Sequence, residues 1–180
     1  VIMAFYDLPN IPAGHYYSVL IARRDAPRTV LAAFMASPIA VNEGLSQSGW
    51  GALIAHLETQ QLAPKTVIET GAHLLSAQAV ADGRAGLCAL DALTWRMIKT
   101  WDAFAQNLRV LDRTESKPAL PFITQSPALV PDLRLAIQEA LETIGPSART
   151  RLGFLGLSSL DEINYKAISR PKISISEYLE

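Results

Sequence analysis

Short apolar runs alternate with helix-period stretches along this 180-residue chain, and that alternation limits the folds open to it. Residues 2–6, 16–22, 39–41, 66–69, 87–90, 109–111 and 122–124 are short and largely apolar, as buried strands are. Between them, residues 46–60, 72–81, 91–108 and 131–144 read as helices, with a shorter helix at 29–35. In the clearest, Trp50, Leu53, Ile54 and Leu57 repeat at helical spacing. Leu133, Ile137, Leu141 and Ile144 mark another, which starts at Pro131 and stops at Gly145-Pro146. Strands alternating with helices predict an α/β fold with mainly parallel sheets. After Arg149 the pattern weakens into short helical and extended pieces. Two polar, proline-containing stretches, 23–28 and 113–118, bracket one complete α/β block, as two crossings between hinged lobes would.

Composition narrows the function. Hydrophobic residues make up 49% of the chain, which excludes a disordered tail. Charged residues are 18%, with a net charge of −1, so no polycationic face for nucleic acid is expected. The longest uncharged stretches contain Pro, Gly, Ser or Asn, and no direct membrane insertion is predicted. A single cysteine, Cys88, excludes an internal disulfide and a cysteine-based zinc site. No metal, cofactor or catalytic residue is implied.

The segment from Asn42 to Trp50, NEGLSQSGW, follows a strand and opens a helix. A helix start offers unpaired N–H groups and the positive end of the macrodipole. Ser46 and Ser48 add hydroxyl donors, Gln47 adds an amide, and Gly49 allows close approach to the backbone. Together they suit an anion pocket that needs no cation. The plainer reading makes one serine an N-cap. His73 stands at the next helix start, where α/β ligands collect, and is able to donate to an oxyanion or to bond locally. Asp91, between a strand and a helix, is either an N-cap or a carboxylate that accepts a ligand proton or pairs with an ammonium. Trp95, one turn on, either walls the pocket or packs in the core.

NEGLSQSGW, then ETGAH with Ser76 and AVADGRAGLCALDALTW, then LRVLDRT with PALPFIT, resemble periplasmic solute-binding proteins of phosphate and phosphonate ABC transporters. The resemblance runs from about residue 16 to 144. It implies the type 2 periplasmic binding fold: two α/β lobes joined by a two-strand hinge, closing on a small oxyanion ligand, with an ABC transporter permease as partner and a periplasmic location. Residues 26–112 would be lobe 2, and 1–25 with 113–180 the later part of lobe 1. Ser46, Gln47, Ser48, His73 and Asp91 carry over as ligand-binding residues. Where the family usually has Thr between the two serines, this chain has the longer Gln47. Nothing matches the family's upstream segment, which supplies the first strands of lobe 1. The chain is therefore expected to be a piece of a longer protein, or to lack its first part, with sheet edge and apolar surface of lobe 1 exposed.

Two rival readings use the same residues. Ser46, His73 and Asp91 are the residue types of a serine hydrolase triad, although Gly44-Leu45-Ser46-Gln47-Ser48 lacks the final glycine of a nucleophile elbow. The same fold also serves as the ligand-sensing domain of cytoplasmic regulators.

Overall fold

The computed structural model divides the chain into two units, Val1–Tyr16 with Lys117–Ser169 and Tyr17–Ser116 with Arg170–Glu180. It describes residues 2–160, 165, 166, 168 and 174–178, so part of the 113–180 segment lies outside the described residues. The second unit takes in residues 17–25, of which Ser18–Arg23 form a strand of its sheet, and residues 113–116.

In the first unit, β1 (Ile2–Tyr6) pairs antiparallel with β9 (Phe154–Ser159), and β2 (His15–Tyr16) with β8 (Lys117–Pro118). Its core is small: Met3, Ala119 and Phe154 are its buried apolar residues among those described. Tyr6 meets Phe154 edge-on at 6.2 Å between ring centroids, and the Arg149 guanidinium lies over the same phenylalanine. Gly14 has φ of 76°, and a Cβ there would stand 2.9 Å from Ser158 Oγ. Helices α4 (Val130–Glu142) and α5 (Pro146–Leu152) belong to this unit. α4 has the predicted apolar face but no buried residue, because no sheet layer covers it among the described residues. Phe122, Ile123, Val130 and Leu133 instead line an apolar groove of about 650 Å³, and Leu120 is 82% exposed. The predicted strand at 122–124 is an extended segment following Pro118 and Pro121, with one bond from the Phe122 amide to the Ile2 carbonyl.

The second unit is built on a five-stranded sheet of order β5-β4-β6-β3-β7. Its strands are β3 (Ser18–Arg23), β4 (Ile39–Val41), β5 (Val67–Glu69), β6 (Leu87–Asp91) and β7 (Leu108–Arg113). The sheet is mixed rather than mainly parallel. β4 is parallel to β5 and β6, as helical crossovers require, whereas β3 runs antiparallel to both β6 and β7. Helices α1 (Ala52–Thr59), α2 (His73–Ala81) and α3 (Ala92–Trp101) follow β4, β5 and β6. The helix predicted to Leu108 ends at Trp101, because Asp102 turns extended and a 3₁₀ turn, Ala103–Asn107, carries the chain back to β7. Residues 31–34 likewise form a 3₁₀ turn.

The core of this unit joins Leu20 and Ala22 of β3, Ile39 and Val41 of β4, Leu87 and Ala89 of β6, and Trp50, Leu53 and Leu57. Cys88 is wholly enclosed by the sheet, and burial pushes its thiol pKa far up, leaving a small inert hydrophobe.

All three tryptophans, Trp50, Trp95 and Trp101, lie in this unit, so tryptophan fluorescence reports its unfolding. Leu20→Ala empties space at the sheet centre and lowers stability by about 3 kcal/mol in urea titrations followed at that signal. Leu120→Ala, on the exposed surface of the first unit, leaves the same transition within about 0.5 kcal/mol of the parent.

Candidate functional site

The carboxyl ends of β4, β5 and β6 share one edge of the sheet with the amino end of β3, where Ser18 registers with Asp91. Polar side chains collect there. Between β4 and α1 the chain makes a π turn, Gln47–Gly51, in place of the ordinary first helical turn that the sequence predicts. The amides of Trp50 and Gly51 both donate to the Ser46 carbonyl, at 3.1 and 2.9 Å. Ser46 Oγ accepts from the Gly49 amide at 3.0 Å, so Ser46 is an N-cap. The amides of Gln47 and Ser48 head the turn, where no intrahelical carbonyl reaches them.

Gly49 is required by contact rather than by φ. A Cβ on it would stand 1.9 Å from Asn42 Oδ1, an atom that is buried without a hydrogen-bond partner. The turn is held from below by Ser18, whose buried hydroxyl donates to the Ser48 carbonyl at 2.7 Å. Ile175 closes the other side, near enough to Gly44 that a Cβ there would meet its Cγ2 at 2.6 Å. Tyr178 meets Trp50 edge-on at 5.7 Å.

His73 opens α2 and brings Nε2 to 2.9 Å from Ser48 Oγ. Its Nδ1 is buried without a hydrogen-bond partner of normal geometry. Burial holds its pKa below the ordinary histidine value, while the Asp91 carboxylate and the Ala89 carbonyl pull weakly the other way. The imidazole is therefore neutral at neutral pH. If Nε2 carries its proton, it donates to Ser48 Oγ and leaves the serine O–H free to donate outward. Thr70 and Ser76 buttress the same helix start, with hydroxyls 2.7 Å apart and both reaching the Ala72 carbonyl.

Asp91 caps α3, its Oδ1 accepting from the Thr94 amide at 2.9 Å. Trp95, one turn on, is buried, and its indole N–H lacks a partner. Ser46, Gln47, Ser48, His73 and Asp91 thus share one sheet edge. The hydrolase arrangement is not formed: His73 bonds Ser48 rather than Ser46, and Ser46 and Asp91 both serve as helix caps. Ser18 and Asn42 support the same edge and were not singled out from the sequence. Asn42 was visible as the first residue of the motif, whereas Ser18 sits in an apolar strand with no signal of its own.

A family model described as "ABC transporter, phosphonate, periplasmic substrate-binding protein" matches residues 10–167. The chain belongs to this family. The phosphonate-binding family is a substrate-binding transporter component rather than an enzyme family. No curated protein matches the chain significantly. Among solved structures, PhnD1 from Prochlorococcus marinus in complex with methylphosphonate superposes with a TM-score of 0.73 at 14% identity, covering 93% of this chain and 68% of that one. A binding protein component of the ABC phosphonate transporter from Pseudomonas aeruginosa gives 0.72 at 17% identity, covering 93% and 59%. XAC2383 from Xanthomonas citri bound to chloride ion gives 0.68 at 18%, covering 93% and 66%. These likenesses establish the α/β type 2 periplasmic binding fold, and the chain spans roughly two thirds or less of the proteins it resembles. No helix among the described residues is long and apolar enough to cross a membrane.

Gly49→Ala forces Asn42 or the π turn to move and lowers the stability read from the tryptophan transition in urea by about 1–3 kcal/mol, as for an overpacked site. Because the folded pKa of His73 is depressed, the unfolded chain binds a proton more readily. Stability is then retained above the ordinary histidine pKa and lost as pH falls through it towards the depressed value. His73→Gln removes that part of the pH dependence, read as a smaller difference between urea midpoints at neutral and mildly acidic pH.

Proposed function

We propose that the chain is the solute-binding component of an ABC importer and takes a small oxyanion at the Ser46–Ser48 turn. The observation that carries this reading is the Ser48 hydroxyl at the head of the turn, 2.9 Å from a neutral, half-buried imidazole. Hydroxyl and backbone donors there hold anionic oxygens without a lysine or arginine, as a helix start does. Ser48 donates to one oxygen, the Gln47 and Ser48 amides reach others, and the Gln47 side chain sets the width of the pocket. His73 fixes the direction of the Ser48 hydroxyl. Asp91 faces the same edge, where its carboxylate favours an anion that keeps a proton or carries an ammonium and disfavours a full dianion. The family match and the phosphonate-binding relatives support this class of ligand, a permease partner and a periplasmic location.

Calorimetry against phosphate, phosphite, sulfate and an aminoalkylphosphonate tests the reading. At least one binds, and Ser48→Ala weakens it by about ten- to a hundredfold, the range for a lost hydrogen bond to a charged group. Failure of all four, or unchanged affinity in Ser48→Ala, sinks the assignment. Sulfate keeps its charge across the histidine range, so it binds more tightly as pH falls and His73 gains a proton; His73→Gln flattens that dependence.

A further inference from the structure

At the opposite edge of the five-stranded sheet, where β3 ends and β4 and β6 begin, arginines gather. Arg23 closes β3, Arg28 follows in the next connection, and Arg84 lies in the turn before β6. They border a concavity of about 300 Å³ together with Ser37 and residues 83–86. Arg24 and Arg109 stand beside it, bonded to carbonyls of the neighbouring connections. Asp25 pairs with Arg23, and Asp82 stands 3.5 Å from Arg84. Arg24, Arg28 and Arg109 direct their N–H groups to carbonyl and hydroxyl oxygens and meet no carboxylate among the described residues. A chain of net charge −1 thus carries a local excess of positive charge at this edge.

The guanidinium groups of Arg23 and Arg28 are held in place before any ligand arrives. Arg28 Nη1 donates to Ser37 Oγ at 2.6 Å, and its guanidinium lies 5.6 Å from the ring centroid of the buried Phe34. Asp25 grips Arg23 through Nε and Nη2, which leaves Nη1 beside Gly83, where a Cβ would meet it at 3.5 Å. Gly86 packs directly on Ser37, since a Cβ there would stand 2.7 Å from that of the serine. The residue that orients Arg28 is therefore itself wedged against the 83–86 turn.

We propose that this pocket is a second oxyanion site, specific for a small, multiply charged anion of the diphosphate class. Guanidinium groups are permanently charged, and the N–H groups that Asp25 and Ser37 leave over on Arg23 and Arg28, with those of Arg84, are donors suited to phosphate oxygens. The pre-set orientation of Arg23 and Arg28 lowers the ordering cost of binding. The concavity, about 300 Å³ and open to solvent, has room for a compact anion. The chemistry is the converse of the Ser48 edge: fixed cations at the surface, without an imidazole.

Calorimetry of the full chain with inorganic diphosphate at low salt tests it. The parent protein binds, and Ser48→Ala retains that binding, which separates this site from the one at the other edge. Arg28→Gln with Arg84→Gln weakens it by at least about tenfold, and added salt weakens it in the parent, as screening of exposed charges requires. Arg84→Gln alone, on an exposed turn, keeps the test sound if the double variant unfolds by tryptophan fluorescence; it also weakens binding. Absence of diphosphate binding at millimolar concentration, unchanged affinity in the arginine variants, or complete loss in Ser48→Ala would overturn the proposal.

Discussion

The buried Ser18 hydroxyl donates to the Ser48 carbonyl while its amide donates to Thr114 Oγ1 at 3.0 Å, and the site edge depends on this pair of bonds. One residue thereby ties the start of β3, the π turn and the end of β7 together. Ser18 also registers with Asp91, so the carboxylate is placed by the same strand. A buried carbonyl or hydroxyl left unpaired costs about 1–3 kcal/mol, which keeps the Ser48 backbone seated and its side chain turned towards His73. The antiparallel course of β3 is what makes this possible. Only a strand entering against the direction of β6 brings its first residue to the carboxyl edge of the parallel strands.

Much of the second unit was legible because its signals are local. Trp50, Leu53, Ile54 and Leu57 repeat at the helical period and are all buried as that period demands. The strands at 39–41, 67–69 and 87–91 are short apolar runs between turn residues, and Asp91 and Ser46 are cap-type residues at caps. The π turn was not legible, since a bond to the fifth residue back leaves the same residue types in the same order as an ordinary helix start. Nor was the Ser48–His73 contact, which joins residues far apart in sequence. The direction of β3 was missed for a similar reason: apolar content tells of burial and says nothing of parallel or antiparallel neighbours.

The first unit shows the limit of periodicity as a guide. α4 has an apolar stripe that predicts burial, yet none of its residues is buried. Amphipathicity states that a face needs a cover, and the cover must come from elsewhere in the fold. β9 is the opposite case. Phe154–Ser159 is interrupted by Gly156 and ends in two serines, so it reads poorly as a strand, and pairing with β1 gives it regular structure all the same.

The π turn has a further consequence. Its additional residue is accommodated before Ala52, and from there α1 runs with ordinary helical spacing into the core. The part of the chain that meets solvent at Gln47 and Ser48 is thus offset from the part that packs Leu53 and Leu57 under the sheet. Side chains on the turn are able to diverge in size and polarity without rotating the buried face of the helix. The solvent-facing side chains of the turn and the buried face of the helix, although encoded in adjacent residues, can therefore vary separately, and the core is kept while the exposed residues change.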